Sequence, residues 1–272
     1  MKNLNLHLLF ISAALIGNIE YSMCAPVVLK NTQSQSDLAL AVDVNVDQRA
    51  KEIIARAAQI YANARTLSCQ VYENKSRDGR DVRARYEVQW KRPNLAAVKR
   101  FETDVETQRT NFRNVIIDGK TIHQLLDNEY SSRVLPPLRG FGVLVPTGVF
   151  SLSLLGSQGF VEMLGTPQMP IVKYLGAGRV GKIEVENVQV KIANGAETVE
   201  YRFAIDKTRH LLQQASMRFD TGIGVMTTTE TYANVRLNAP IDARVFRFAP
   251  TPQMKAQQKL RELLNSDDEE KS

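Results

Sequence analysis

The sequence predicts a mainly β protein with helices (α+β), built on one strongly curved antiparallel sheet or barrel of about eleven strands. Three observations carry that prediction. Residues Val82-Arg83-Ala84-Arg85-Tyr86-Glu87-Val88-Gln89-Trp90 alternate apolar and polar without a fault, the pattern of a strand with one buried and one wet face. Further alternating runs follow it, separated by turn signals such as Asp118-Gly119 and Asn194-Gly195 that supply the positive φ angles of tight hairpins. Ahead of them lies a single stripe at helical spacing, Ile53, Ile54, Ala57, Ile60 and Tyr61.

Taken in order, residues 1–24 read as a signal peptide. Lys2 opens a short basic region, Leu8 to Gly17 is apolar but for Ser12, and Ser22-Met23-Cys24 places small residues around a cleavage site. The apolar run is too short to span a bilayer, so an exported protein is expected. A lipid anchor at Cys24 is the alternative. Loss of the signal leaves Cys69 without a cysteine partner, which excludes a disulfide scaffold; its apolar strand predicts a buried thiol.

Residues 25–45 read as a flexible leader, and 46–254 as the folded domain. Asp47 is placed to cap a helix running to about Ala64, whose stripe needs a surface to pack on. From Leu67 the period becomes 2. The strand of Ile183 and Val185 changes phase at Asn187, which predicts a bulge there. Val199, Tyr201, Phe203 and Ile205 form one inward row, and Ala215, Met217 and Phe219 the next. Val225 to Arg236 and a final strand near Phe246 and Phe248 complete the count.

Residues 136–165 interrupt the sheet with an unusually apolar segment, broken into short pieces by Pro146, Gly148, Gly156 and Gly159. It reads as short helices lying across or inside the sheet and not as a membrane span. Beyond Pro252 a polar helix is expected to about residue 265, and residues 255–272 make up a C-terminal helix and acidic tail.

The 272 residues fit one large β domain or two small ones, and a hydrophobic fraction of 43% supports a sizeable core. The net charge of +6 is spread along the strands, which suits weak attraction to anionic membranes or acidic partners. Nucleic-acid binding would require a basic stripe with interleaved aromatics, and the sequence has none.

Residues that could carry chemistry are sparse. His123 and His210 each stand alone in strand-like segments, and there is neither a His/Cys cluster at metal spacing nor a Gly-x-Ser-x-Gly elbow. Gly176-Ala-Gly-Arg-Val-Gly181 matches a dinucleotide-binding string, but strand residues Ile183 and Val185 follow where a helix is required, so it reads as a turn. Asp104, Glu106, Asp118 and Asp127 fall in turn-like segments. No enzyme activity, metal or cofactor is expected. Arg92 stands out because it shares the parity of Val82, Ala84, Tyr86, Val88 and Trp90. Either the strand continues and the guanidinium points inward to bond helix-end carbonyls, or Pro93 ends the strand and Arg92 reaches into water.

The run Val88-Gln89-Trp90-Lys91-Arg92-Pro93-Asn94-Leu95 resembles the signature strand of the outer-membrane lipoprotein carrier (LolA) family and its periplasmic relatives. The helix Gln48 to Ala64 leading into Leu67 to Tyr72, the turn Asp118-Gly119-Lys120-Thr121 and the closing Phe246-Arg247-Phe248-Ala249-Pro250 agree in order and spacing. The resemblance implies an incompletely closed antiparallel β-barrel, or half-barrel, with an N-terminal helix and a short-helix lid at residues 136–165. It also implies that Arg92 latches that lid. The sequence departs from the family in having Ala96, Ala97 and Val98, and Ile122 to Leu125, where the carriers have bulky aromatics.

The function this implies is a periplasmic lipid or lipoprotein carrier that sequesters acyl chains in an apolar cavity beneath the lid, with a part in outer-membrane biogenesis. The cavity residues expected are Tyr86, Val88, Trp90, Val98, Phe141, Leu144, Phe150, Leu154, Phe160, Val199, Tyr201, Phe203, Met217 and Phe219. Partners would be acyl chains of a lipoprotein or other lipid and envelope donor or acceptor proteins, with the protein peripheral to the membrane at most. The alternative on the same fold is a periplasmic protein-sensing or envelope-stress module.

Overall fold

The change of period at Leu67 is where helix gives way to sheet. A computed structural model describes residues 47–77, 80–127, 129–136, 140–155, 171–194, 197–220 and 224–269. The expected signal peptide and leader, Phe160 and the second half of the expected lid therefore lie outside the described residues.

Helix α1 spans Gln48–Asn63. Asp47 caps it, accepting from the backbone N–H of Arg49 at 2.9 Å and of Ala50 at 3.2 Å. Its stripe of Ala50, Ile53, Ile54, Ala57, Ala58 and Tyr61 is buried. The buried Tyr61 hydroxyl accepts from the Leu212 N–H at 3.0 Å, which gives its oxygen a hydrogen-bond partner.

Eleven strands follow: β1 Thr66–Arg77, β2 Arg80–Lys91, β3 Leu95–Asp104, β4 Thr110–Asp118, β5 Thr121–Leu126, β6 Glu129–Val134, β7 Ile171–Val180, β8 Ile183–Asn194, β9 Glu197–Asp206, β10 Leu212–Asp220 and β11 Val225–Leu237. All neighbours pair antiparallel, in the order β6-β5-β4-β3-β2-β1-β11-β10-β9-β8-β7. The first and last strands meet in the middle and β6 and β7 form the edges, so the sheet is an unclosed barrel. Between those edges the chain forms a 3₁₀ helix, η1 (Gly140–Thr147), and a short helix, α2 (Phe150–Leu155). After β11 come η2 (Ala243–Phe246) and α3 (Pro252–Glu269). Among the described residues no helix is long and apolar enough to cross a membrane.

Several local expectations differ from what forms. The bulge falls one strand away: Leu175 of β7 is the extra residue, opposite Val188 and Asn187 of β8. Gly176, at φ 103°, supplies the backbone that bend requires, and Gly178 lies where an added Cβ would be 2.7 Å from Asn187 Nδ2. The Gly176–Gly181 string is thus a hairpin, as its strand context predicts. His210 sits in a turn at φ 54° and not in a strand. The expected final strand at Phe246 and Phe248 is the 3₁₀ turn η2 and an extended crossing of the outer face. Asp242 caps that turn, Phe246 is buried, and Phe248 stacks on His123 and Tyr130 with centroids 5.3 Å from each. Helix α3 continues to Glu269, taking in the start of the acidic tail.

Candidate functional site

On the inner face of the sheet, Tyr86, Val88 and Trp90 of β2, Val98 of β3, Tyr201 and Phe203 of β9 and Met217 and Phe219 of β10 are all buried, as their parity predicts. Val199 packs partly buried against them. The segment η1–α2 lies on this face and buries Val143, Leu144, Val149, Leu152 and Leu155 almost completely, with Leu154 partly buried. Phe141 and Phe150 lie on the backbone of η1 and α2. The apolar half-segment expected as a lid is therefore seated inside the sheet, occupying the surface it was expected to cover.

Its polar groups are satisfied locally: Thr147 Oγ1 donates to the Leu144 carbonyl and Ser153 Oγ to the Val149 carbonyl, each at 2.6 Å. Gly148, at φ 89°, turns the chain between η1 and α2; an added Cβ there would stand 3.6 Å from the Tyr86 hydroxyl.

Beneath that turn lies a cluster of charged and phenolic groups that the sequence reading did not single out. The inward row of β1 runs Leu67, Cys69, Val71 and then Glu73; that of β11 runs Met226, Thr228, Glu230 and Tyr232. Register places Glu73 directly opposite Glu230, so two buried carboxylates face each other across adjacent strands. Tyr86 donates its hydroxyl to Glu73 Oε2 at 2.5 Å. Arg100 of β3 approaches the same oxygen at 3.5 Å and pairs with Glu102. Glu73 is thereby compensated. Glu230 instead accepts from the Tyr232 hydroxyl and from the backbone N–H and hydroxyl of Ser151, at the start of α2.

Burial pushes the Glu230 carboxyl up to about 7, and the charge of Glu73 adds to the rise. The hydrogen bonds from Ser151 and Tyr232 oppose it. Burial likewise raises Tyr86 and Tyr232, each helped by its carboxylate partner. Arg113 of β4, opposite Arg100, donates to Gln124 Oε1 at 2.8 Å; burial and then Arg100 lower it. Parity alone exposes this cluster, because Glu73 and Glu230 continue rows that are otherwise apolar.

Arg92 bonds the end of the N-terminal helix. Strand β2 ends at Lys91, Arg92 is exposed, and its guanidinium folds back over the Trp90 ring at 5.7 Å. Nε donates to the Ala64 carbonyl at 2.6 Å and Nη2 to the Ala62 carbonyl. Both acceptors belong to the C-terminal end of α1, where unpaired carbonyls and the helix dipole favour a cation. The arginine ties the N-terminal helix to the sheet.

Cys69 is a buried free thiol, and burial pushes it up to about 12. Asp104, Asp118 and Asp127 accept from backbone N–H groups in or beside turns. His123 bonds Tyr130 and Asp118 at 3.1 and 3.2 Å on the outer face. Among the described residues no group of three or more His, Cys, Asp or Glu side chains could hold a metal. One cleft of about 480 Å³ is lined largely by outer-face side chains, including Gln70, Glu87, Lys99 and Arg236. Another surrounds Arg65, Arg92 and Asn238 at the end of α1. Among the described residues, α1, η1 and α2 pack on the inner face.

No family model matches this chain, and no curated protein does. Among solved structures it is similar to LprF from Mycobacterium bovis, at 13% identity and a TM-score of 0.43 over 77% of this chain and 99% of that one. A LolA superfamily protein from Nitrosomonas europaea matches at 10% identity and a TM-score of 0.34, over 73% and 97%. MucB, in the Pseudomonas aeruginosa MucA/MucB complex, matches at 11% identity and a TM-score of 0.38, over 74% of this chain and 61% of that one. The chain thus spans less than two thirds of that last protein. The chain itself forms an unclosed antiparallel sheet with an N-terminal helix and internal short helices, and likenesses this remote add nothing to that.

Proposed function

We propose that this chain is an exported, periplasmic carrier that holds acyl chains on the inner face of its open sheet. The observation that carries this reading is the lid seated in the interior. Val143, Leu144, Val149, Leu152 and Leu155 are buried there on a segment with no ladder bonds to the sheet. Five such side chains are worth about 8–15 kcal/mol of burial at ~1.5–3 kcal/mol each. An acyl chain of about twelve methylenes gains roughly 10 kcal/mol at ~0.8 kcal/mol per methylene. The two occupants are closely matched, which is what reversible loading requires. Arg92 acts in this scheme by fixing α1 as the wall against which the lid closes.

An interior packed with the protein's own helices also suits a protein-sensing module. One feature favours that second reading: Tyr72, Arg85, Phe101 and Phe112 form a cross-strand row on the outer face of β1 to β4. Arg85 lies over Phe101 at 4.9 Å, and Phe101 meets Phe112 at 5.1 Å. Aromatic and arginine side chains of this kind anchor protein interfaces.

Native mass spectrometry with organic extraction of the mature protein from the exporting cell's periplasm separates the two. Stoichiometric acyl lipid supports the carrier. Apo-protein that also refuses offered acyl probes defeats it and leaves the sensing module.

A further inference from the structure

Lifting the lid uncovers apolar surface together with the polar cluster beneath Gly148 and Ser151. The groups in that cluster are unevenly balanced. Glu73 and Glu102 already share Arg100, and Glu73 also takes the Tyr86 hydroxyl. Glu230 has no described ion pair; its partners are Tyr232 and the N–H and hydroxyl of Ser151, all donors. Two of those three donors leave when α2 leaves. A buried acceptor that loses its donors is costly, so an occupant that restores them is favoured over one that does not. An anionic head placed at the same spot would meet two carboxylates on adjacent strands.

We propose that the inner-face site selects acyl ligands whose head is uncharged and donates hydrogen bonds, an alcohol or amide, and that Glu230 is the residue that reads it. The head takes over the bonds that Ser151 gives Glu230 in the closed state, so the lid and the ligand compete for one acceptor. Arg100 also contributes: its Nε is buried without a hydrogen-bond partner and can donate to an ester or amide carbonyl beside the donor group. This inference rests on the carrier reading and narrows it from acyl chains in general to one class of head.

The test compares monolauroylglycerol with laurate, both below their aggregation concentrations, by calorimetric titration into the full mature chain at pH 8. The two share a tail and differ in head charge. Monolauroylglycerol is expected to bind at least about tenfold more tightly. Glu230→Gln, which removes the charge and keeps an acceptor, is expected to close most of that gap by improving laurate binding. Equal affinities in the unaltered protein overturn the head selection while leaving the carrier reading intact. Preference for laurate overturns it too, and assigns the head to the arginine pair Arg100 and Arg113. If neither ligand binds, the carrier reading itself fails. The comparison in the unaltered protein decides the matter even if the variant folds poorly.

Discussion

Replacing Glu230 with Gln should stabilise the protein at alkaline pH and change little at acid pH. In the folded chain the Glu230 carboxyl is raised from 4.5 to about 7, chiefly by burial. The folded state thus holds its proton more tightly than the unfolded state does. Below about pH 4.5 both states are protonated and the residue imposes no penalty. Between there and about pH 7 the unfolded state ionises first, and stability falls as pH rises; above about 7 the loss is constant. At about 1.36 kcal/mol per tenfold change in proton affinity, the loss is on the order of 3 kcal/mol. Gln buries the same volume without the charge and escapes it. Urea unfolding from pH 4.5 to 8.5 reads the effect directly. The variant's midpoint should exceed the parent's by roughly 1 M at pH 8, for an m-value of about 2–3 kcal/mol/M, and the two should converge near pH 5. A variant no more stable than the parent at pH 8 would show that the ionised carboxylate imposes no such penalty, and the reasoning would fail.

Further expectations follow from other contacts. Arg92→Leu removes two hydrogen bonds to the end of α1 and should cost about 1.5–3 kcal/mol in denaturant, with Arg92→Lys recovering part of it. Tyr86→Phe strips the hydroxyl from buried Glu73 and should cost about 1–3 kcal/mol, more than its small volume change would. Leu152→Ala, in the lid, should destabilise by about 2–5 kcal/mol and at the same time increase uptake of an apolar fluorescent probe; a loss of stability without added uptake would argue against a displaceable lid. Cys69 should resist thiol reagents in native protein at pH 8 and react at once in denaturant, because burial holds it as a thiol.

The sheet was legible in the sequence wherever one face is wet. The alternation Val82 to Trp90 fixes β2, and Gly119 with φ 101° is the turn that Asp118-Gly119 announces. Phe246-Arg247-Phe248 shows how the same signal misleads. Its alternation is that of a strand, yet Pro240 and Pro250 flank it, Asp242 caps a turn, and the two rings pack on the outer face of strands already formed. Glu73 and Glu230 escaped notice for the opposite reason. A carboxylate in a strand is ordinarily read as solvent-facing, and only strict parity with Val71 and Thr228 turns them inward. The partner of Arg92 was beyond the sequence altogether. Its bonds depend on where α1 ends relative to β2, which no local pattern in the sequence states.

The edges of the sheet have a mechanical consequence. Strand β6 is faced by α3, with Gln258 bonded to Ser132, and the N–H and carbonyl of β7 near Val172 and Tyr174 are engaged by Asp47. Neither edge is paired to the other among the described residues, and the chain that bridges them is the one that carries the lid. The sheet is therefore like a book whose covers, β6 and β7, share no ladder bond. Spreading those covers would break no ladder bond between them, so on the carrier reading proposed above the width of the interior is set by what packs inside it and not by the sheet's own bonding.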